Sequence, residues 1–102
     1  MEELTIKETQ LKTGVKYDIK GRITTTTTSK FEKTLDDALE IGYKNIVMNM
    51  AEVTIMTSVG IRIILKTFKE ANKEGRRLLI EDPSEVVKNV LGLSNLAQML
   101  VR

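Results

Sequence analysis

The amino-acid sequence predicts an α/β domain in which a mixed four-stranded β-sheet is flanked by about four α-helices, and three observations lead there. Val15, Tyr17 and Ile19 alternate strictly with Lys16, Asp18 and Lys20, the period of a half-buried strand. Asn45 to Met50 (NIVMNM) is a short apolar run between polar residues, the pattern of a strand covered on both faces. Beyond Ser58 the apolar period lengthens to that of a helix. Strands thus alternate with helices, and helical crossovers imply that part of the sheet is parallel.

The elements follow in order. Leu4, Ile6 and Leu11 mark a first strand with partial alternation, and Lys12-Thr13-Gly14 turns the chain into the second, which Gly21 closes; the two make a hairpin. Thr24 to Thr28 is a run of five threonines, poor in helix propensity and without alternation, and reads as a loop. Ser29 and Glu32 then have the spacing of a capping box, and Phe31, Leu35, Ala38 and Leu39 share one face of a helix that ends at Gly42. After the Asn45 to Met50 strand, Val53 to Met56 carries the chain to the edge of the sheet. From Ser58, Ile61, Ile64, Leu65, Phe68 and Ala71 recur as an inward stripe opposite Arg62, Lys66, Lys69 and Lys73, until Gly75. Leu78 to Ile80 is a short strand, Asp82-Pro83-Ser84 a turn, and Val86, Val87, Val90 and Leu91 a third helix. Leu93 to Val101 is expected to be a further apolar helix packed against the sheet.

Composition narrows the chemistry. A chain of 102 residues, 41% apolar and 29% charged, matches one soluble globular domain with one core. A net charge of +2, with basic and acidic residues interspersed, gives no footprint for nucleic acid. The absence of cysteine removes disulfides, zinc-thiolate sites and thiol nucleophiles. The absence of histidine removes the usual general base near neutral pH and the commonest metal ligand. No apolar run approaches the roughly 20 residues of a membrane span, and Met1-Glu2-Glu3 is not the basic start of a signal peptide. A cytoplasmic protein without a metal or organic cofactor is expected. The adjacent acids Asp36-Asp37 and Glu81-Asp82 read as solvated or capping groups, and the six glycines never take the spacing of a phosphate-binding loop.

The segment Thr54 to Leu65, TIMTSVGIRIIL, is the exception to this bland chemistry. It begins as a strand and ends as a helix, with Thr57, Ser58 and Gly60 at the changeover. A loop there lies at the carboxyl end of the sheet, where open α/β folds place functional surfaces. The first turn of a helix leaves backbone N–H groups without partners and carries partial positive charge. A hydroxyl at that point can cap the helix, and a phosphate is electrostatically welcome. Gly60 sacrifices about 0.5–1 kcal/mol of helix propensity relative to alanine, which suggests the close approach of another backbone or of a partner. Val59 and Ile63, one turn apart and off the main stripe beside Arg62 and Lys66, suggest an exposed apolar patch with a basic rim.

Val53 to Leu65 resembles the signature of the STAS domain, the anti-sigma factor antagonist family, in which a strand ends in an Asp-Ser-(Ser or Ala)-Gly-Leu motif that opens a helix. Gly21-Arg22-Ile23-Thr24 falls where that family has Gly-x-(Leu or Ile)-Asp, and Asn45 to Met50 matches its central strand. Lys73 to Ile80 looks like its glycine-containing approach to the next strand. Pro83 to Leu91 and Leu93-Ser94-Asn95-Leu96 are similar to its closing segment. The resemblance spans nearly the whole chain and implies a single STAS-like domain over residues 1–102.

The resemblance also implies a function. In the family, an unphosphorylated serine faces a serine kinase that doubles as an anti-sigma factor; phosphorylation blocks that binding and a phosphatase restores it. Ser58 occupies the position of that serine. The implied partner-binding surface comprises Thr24, Met56, Thr57, Ser58, Val59, Gly60, Arg62, Ile63 and Lys66. Nucleic acid and membrane are not expected partners, and the chain is expected to be a monomer or weak dimer. Thr57, Thr24 and Asn49 stand where the family carries aspartates. Three readings follow: Ser58 is still the acceptor, Thr57 is a second or substitute acceptor, or the binding face persists without the switch. A different class of function is a small-ligand or lipid carrier with an apolar pocket between sheet and helices. An enzyme is the remotest expectation.

Overall fold

The computed structural model describes residues 3–94. Its elements are β1 (Leu4–Leu11), β2 (Gly14–Ile23), α1 (Thr28–Ile41), β3 (Asn45–Met56), α2 (Ser58–Lys73), β4 (Arg77–Glu81) and α3 (Glu85–Ser94). The four strands form one sheet in the order β1-β2-β3-β4. β1 and β2 are an antiparallel hairpin closed between Leu11 and Gly14, and the β2–β3 and β3–β4 pairs are parallel. The predicted mixed sheet is therefore present, and three helices, close to the expected number, accompany it among the described residues. The predicted tail helix over Leu93 to Val101 lies outside the described residues except for Leu93 and Ser94, which close α3.

Strand register explains where the core sits. Val15 pairs with Ile46, Tyr17 with Met48, and Ile46 and Met48 in turn with Leu78 and Ile80, so these side chains share one face of the sheet. Phe31, Leu35 and Ala38 of α1, Ile63 and Ile64 of α2, and Val87 and Leu91 of α3 join them in one buried cluster. Each large apolar side chain so enclosed contributes about 1.5–3 kcal/mol relative to exposure. The opposite face holds Lys16, Asp18, Asn49 and Glu81, all half-buried, around the buried Val47. Lys16 reaches across β3 to Glu81 at 2.8 Å. The apolar run of β3 is thus buried at Ile46, Val47, Met48 and Met50, while Asn49 keeps contact with solvent.

The second and third strands are longer than predicted. Gly21 does not close β2; it lies inside it, at a register irregularity between Gly21 and Arg22. Its φ of 111° is open to glycine and strained for other residues, and a Cβ there would stand 2.2 Å from the Glu3 carbonyl oxygen. The Arg22 N–H donates to that same carbonyl at 2.8 Å, so β1 and the end of β2 close on each other only because the intervening residue has no side chain. β3 likewise runs unbroken to Met56, and its last part pairs with β2 alone.

The capping box at Ser29 is not formed. α1 starts at Thr28, with Thr27 preceding it and making no side-chain cap. The threonine run turns earlier: the Thr27 and Thr28 N–H groups donate to the Thr24 carbonyl at 3.0 and 2.9 Å. The Thr27 hydroxyl instead donates to the Arg22 carbonyl at 2.7 Å and accepts from the Thr24 N–H at 2.8 Å, tying the loop to the end of β2. Ser84 does cap α3, its Oγ accepting from the Val87 N–H at 3.2 Å.

Candidate functional site

β2 and β3 end side by side, which sets the site. The Thr57 N–H donates to the Ile23 carbonyl at 3.0 Å, bringing the start of the threonine loop next to the start of α2. The Thr57 backbone is extended (φ −86°, ψ 170°), and its carbonyl accepts from the Gly60 N–H at 3.0 Å and the Ile61 N–H at 3.4 Å, the opening bonds of α2. Thr57 is the N-cap residue by backbone alone. Its hydroxyl makes no cap and is buried with no hydrogen-bond partner among the described residues. Ser58, the first helical residue, is exposed. The cap expected of this hydroxyl pair is therefore absent, and the two hydroxyls differ in the one property that decides whether an enzyme can reach them.

Gly60 is buried, and what approaches it is the protein's own core. A Cβ at Gly60 would lie 2.9 Å from Ile23 Cγ2 and 3.0 Å from Met56 Cγ, so its absence lets the first turn of α2 rest on the ends of β2 and β3. Met56 is 7% exposed and Ile63 5%, which places both beneath the surface. The inward face of α2 is consequently turned from the predicted stripe: Gly60, Ile63, Ile64, Thr67 and Ala71 are buried, while Ile61, Leu65 and Phe68 pack at the margin of the core. Thr67 sits inside that face because its hydroxyl donates to the Ile63 carbonyl at 2.8 Å. The predicted Val59–Ile63 patch reduces to the half-buried Val59.

Of the nine residues expected at a binding surface, Ser58, Arg62 and Lys66 are exposed and Thr24, Thr57 and Val59 half-buried; Met56, Gly60 and Ile63 support them from below. A groove of about 210 Å³ lies between α1 and α2, lined by Thr28, Ser29, Glu32, Val59, Arg62, Ile63 and Lys66. Its α1 wall is not evident from the sequence, because residues on two helices separated by a whole strand carry no local signal of contact. Lys66 bridges the two helices, 2.6 Å from Glu32 and 3.6 Å from Asp36. The hydrogen bond to Glu32 raises the Lys66 pKa above the ordinary lysine value, with Asp36 adding to it. Asn49 does not join this cluster; it lies seven residues before Met56 on β3, its amide turned to Asp82 at 3.4 Å. Among the described residues no group of three or more acidic side chains is placed to hold a metal ion, and no helix is long and apolar enough to cross a membrane.

Known proteins with this architecture give the site its context. Among solved structures, an anti-sigma factor antagonist from Mycobacterium paratuberculosis superposes with a TM-score of 0.86 at 16% identity, covering 96% of this chain and 84% of that one. The anti-sigma factor antagonist SpoIIAA in its unphosphorylated form gives 0.82 at 18% identity over 96% and 88% of the two chains. The phosphorylated form of SpoIIAA, a Bacillus cell fate determinant, gives 0.77 at 17% over 96% and 91%. At these identities the likeness establishes the fold. No curated protein matches the sequence. The STAS domain profile matches residues 6–101, which takes in β1 from Ile6 onward, every later strand and helix described above, and the β3–α2 junction with Ser58. A mixed four-stranded sheet in this order, with the profile running through nearly all of it, makes the chain a member of the STAS domain family.

Proposed function

We propose that this protein is an anti-sigma factor antagonist, a cytoplasmic regulatory binding module whose contact with an anti-sigma factor is switched by phosphorylation of Ser58. The observation that carries this reading is the contrast at the β3–α2 junction: Ser58 is an exposed residue on the first turn of α2, and the Thr57 hydroxyl is enclosed. A kinase bound to the anti-sigma factor, or identical with it, reaches Ser58 without opening the fold. Ser58 Oγ takes the γ-phosphoryl group of ATP, with ADP and a proton released, and a phosphatase reverses the change. Thr57 is the poorer acceptor because its oxygen faces the interior.

The physics of the switch needs no rearrangement of the domain. A phosphate adds about −1.5 to −2 charges at a helix start that tolerates them. A partner that must exclude water from Ser58 and Val59 would then have to bury that charge. SpoIIAA adopts the same fold in both of its forms, and this chain superposes on each over 96% of its length. The partner face comprises Thr24, Ser58, Val59, Arg62 and Lys66, with Met56, Thr57, Gly60 and Ile63 beneath it.

Binding of an anti-sigma factor to single-site variants tests this. Ser58→Ala should retain the affinity of the unmodified protein, and Ser58→Asp should weaken it by at least about tenfold, 1.4 kcal/mol. Equal affinity of both variants would remove Ser58 from the interface. Mass spectrometry after incubation with the kinase and ATP should place the phosphate on Ser58; phosphate on Thr57 alone would contradict the assignment.

A further inference from the structure

Ser58 and Arg62 are separated by one turn of α2. Side chains at this spacing have Cβ atoms about 5–6 Å apart, and an anion on the N-terminal side of a cation is the favourable order. Both residues are exposed. Glu32 lines the same groove as Arg62, yet its carboxylate is engaged elsewhere, because Lys66 holds it at 2.6 Å and Asp36 at 3.6 Å. Arg62 has no carboxylate within 4 Å among the described residues, whereas Lys73, further along the helix, is 3.9 Å from Glu70. Of the α1 acids, Glu32 and Asp36 are thus engaged by Lys66, and Asp37 by Lys33 at 2.9 Å. The guanidinium nearest Ser58 in sequence on that helix stays uncommitted.

We infer that Arg62 is the residue that receives the phosphate on Ser58, so that modification both adds an anion and withdraws the free cation of the α1–α2 groove. The inference rests on the reading of Ser58 as the modified residue. A guanidinium presents two parallel N–H donors to two phosphate oxygens, which an ammonium cannot do in one plane. The groove then changes from a surface offering a cation to one offering a compensated or net negative pair. An acidic side chain of a partner would lose its counter-charge at the moment the phosphate appears.

The test uses phosphoserine incorporated at position 58 during synthesis, which needs no kinase, and reads its second ionisation by 31P NMR. A paired dianion holds its proton less tightly, so the midpoint should lie lower in the parent protein than in Arg62→Gln, by roughly 0.2–0.4 pH unit for an i,i+4 pair. Lys69→Gln, which removes an exposed cation farther along α2, should leave the midpoint in place. An unchanged midpoint in Arg62→Gln, or an equal shift in Lys69→Gln, overturns the clamp. Binding of the anti-sigma factor to phosphorylated and unphosphorylated protein is measured separately. Equal binding there refutes the switch, whereas the midpoints judge Arg62, so the two failures are distinct.

Discussion

The Thr57 hydroxyl occupies a position that its own backbone has already filled. N-cap threonines ordinarily stabilise a helix by accepting from an N–H two or three residues on. Here the Thr57 carbonyl takes the Gly60 N–H, and the side-chain oxygen is left buried and unpartnered. An unsatisfied buried hydroxyl costs about 1–3 kcal/mol. Valine is nearly the same shape, suits the extended backbone at this position, and brings no polar atom to be desolvated. Thr57→Val should therefore stabilise the fold by up to about 1 kcal/mol, raising Tm by several degrees in a domain of this size. A fall in Tm measured by calorimetry would mean that the hydroxyl has a partner after all. Sequence spacing places Thr57 and Ser58 at the start of a helix, and that much is legible. Which of two adjacent hydroxyls turns inward depends on how α2 settles on Ile23 and Met56, and neither residue signals this in its local pattern.

At the scale of elements, the strands and helices are legible because period and punctuation agree: alternation in β2, a glycine after α1, a proline and serine before α3. What is not legible is how one element completes another. α1 has no basic residue in its own last turn. The cation at its C-terminus is Arg76, between α2 and β4, whose Nη1 donates to the Leu39 carbonyl at 3.1 Å and the Tyr43 carbonyl at 3.3 Å while Nη2 pairs with Glu74. Carbonyls at a helix end attract positive charge and want donors, and Arg76 supplies both. Arg76→Met keeps most of the apolar stem and removes the donors; it should cost about 1–2 kcal/mol in chemical denaturation with an unchanged slope. Stability equal to the parent would show that water serves those carbonyls as well. The rotation of α2 has a similar origin. Its apolar residues cover a wide arc, so the periodicity admits several inward faces, and contact with both α1 and the sheet selects the one containing Ile63 and Thr67.

For the whole molecule, the titration of the core sets the upper pH limit. The chain has no histidine, so it lacks the side chain that ordinarily titrates between about pH 5 and 8. Tyr17 is the group to watch at higher pH. It lies in β2 with 2% of its surface exposed, and burial, assisted by Glu8 across the hairpin and by Tyr43 and Asp37, pushes its pKa up from 10.0 to about 12. A raised phenol pKa means that the folded state holds the proton longer than the unfolded chain does. The unfolded chain therefore gains from ionisation first, and stability declines as pH rises from about 10 towards 12, by about 2–3 kcal/mol in all. Lys16 acts in the same direction: its hydrogen bond and ion pair with Glu81 raise its pKa, and the stabilisation, complete below the ordinary lysine value, is lost as the ammonium deprotonates above it. Tyr17→Phe separates the two, since phenylalanine preserves the ring and removes the ionisation. Urea unfolding of parent and variant at pH 8 to 12 should give curves that run parallel up to about pH 10. Above that the variant should fall more gently and keep only the lysine-dependent decline. Curves that remain parallel to pH 12 would show that Tyr17 ionises as readily inside the fold as outside it, and that the strand face it occupies admits water.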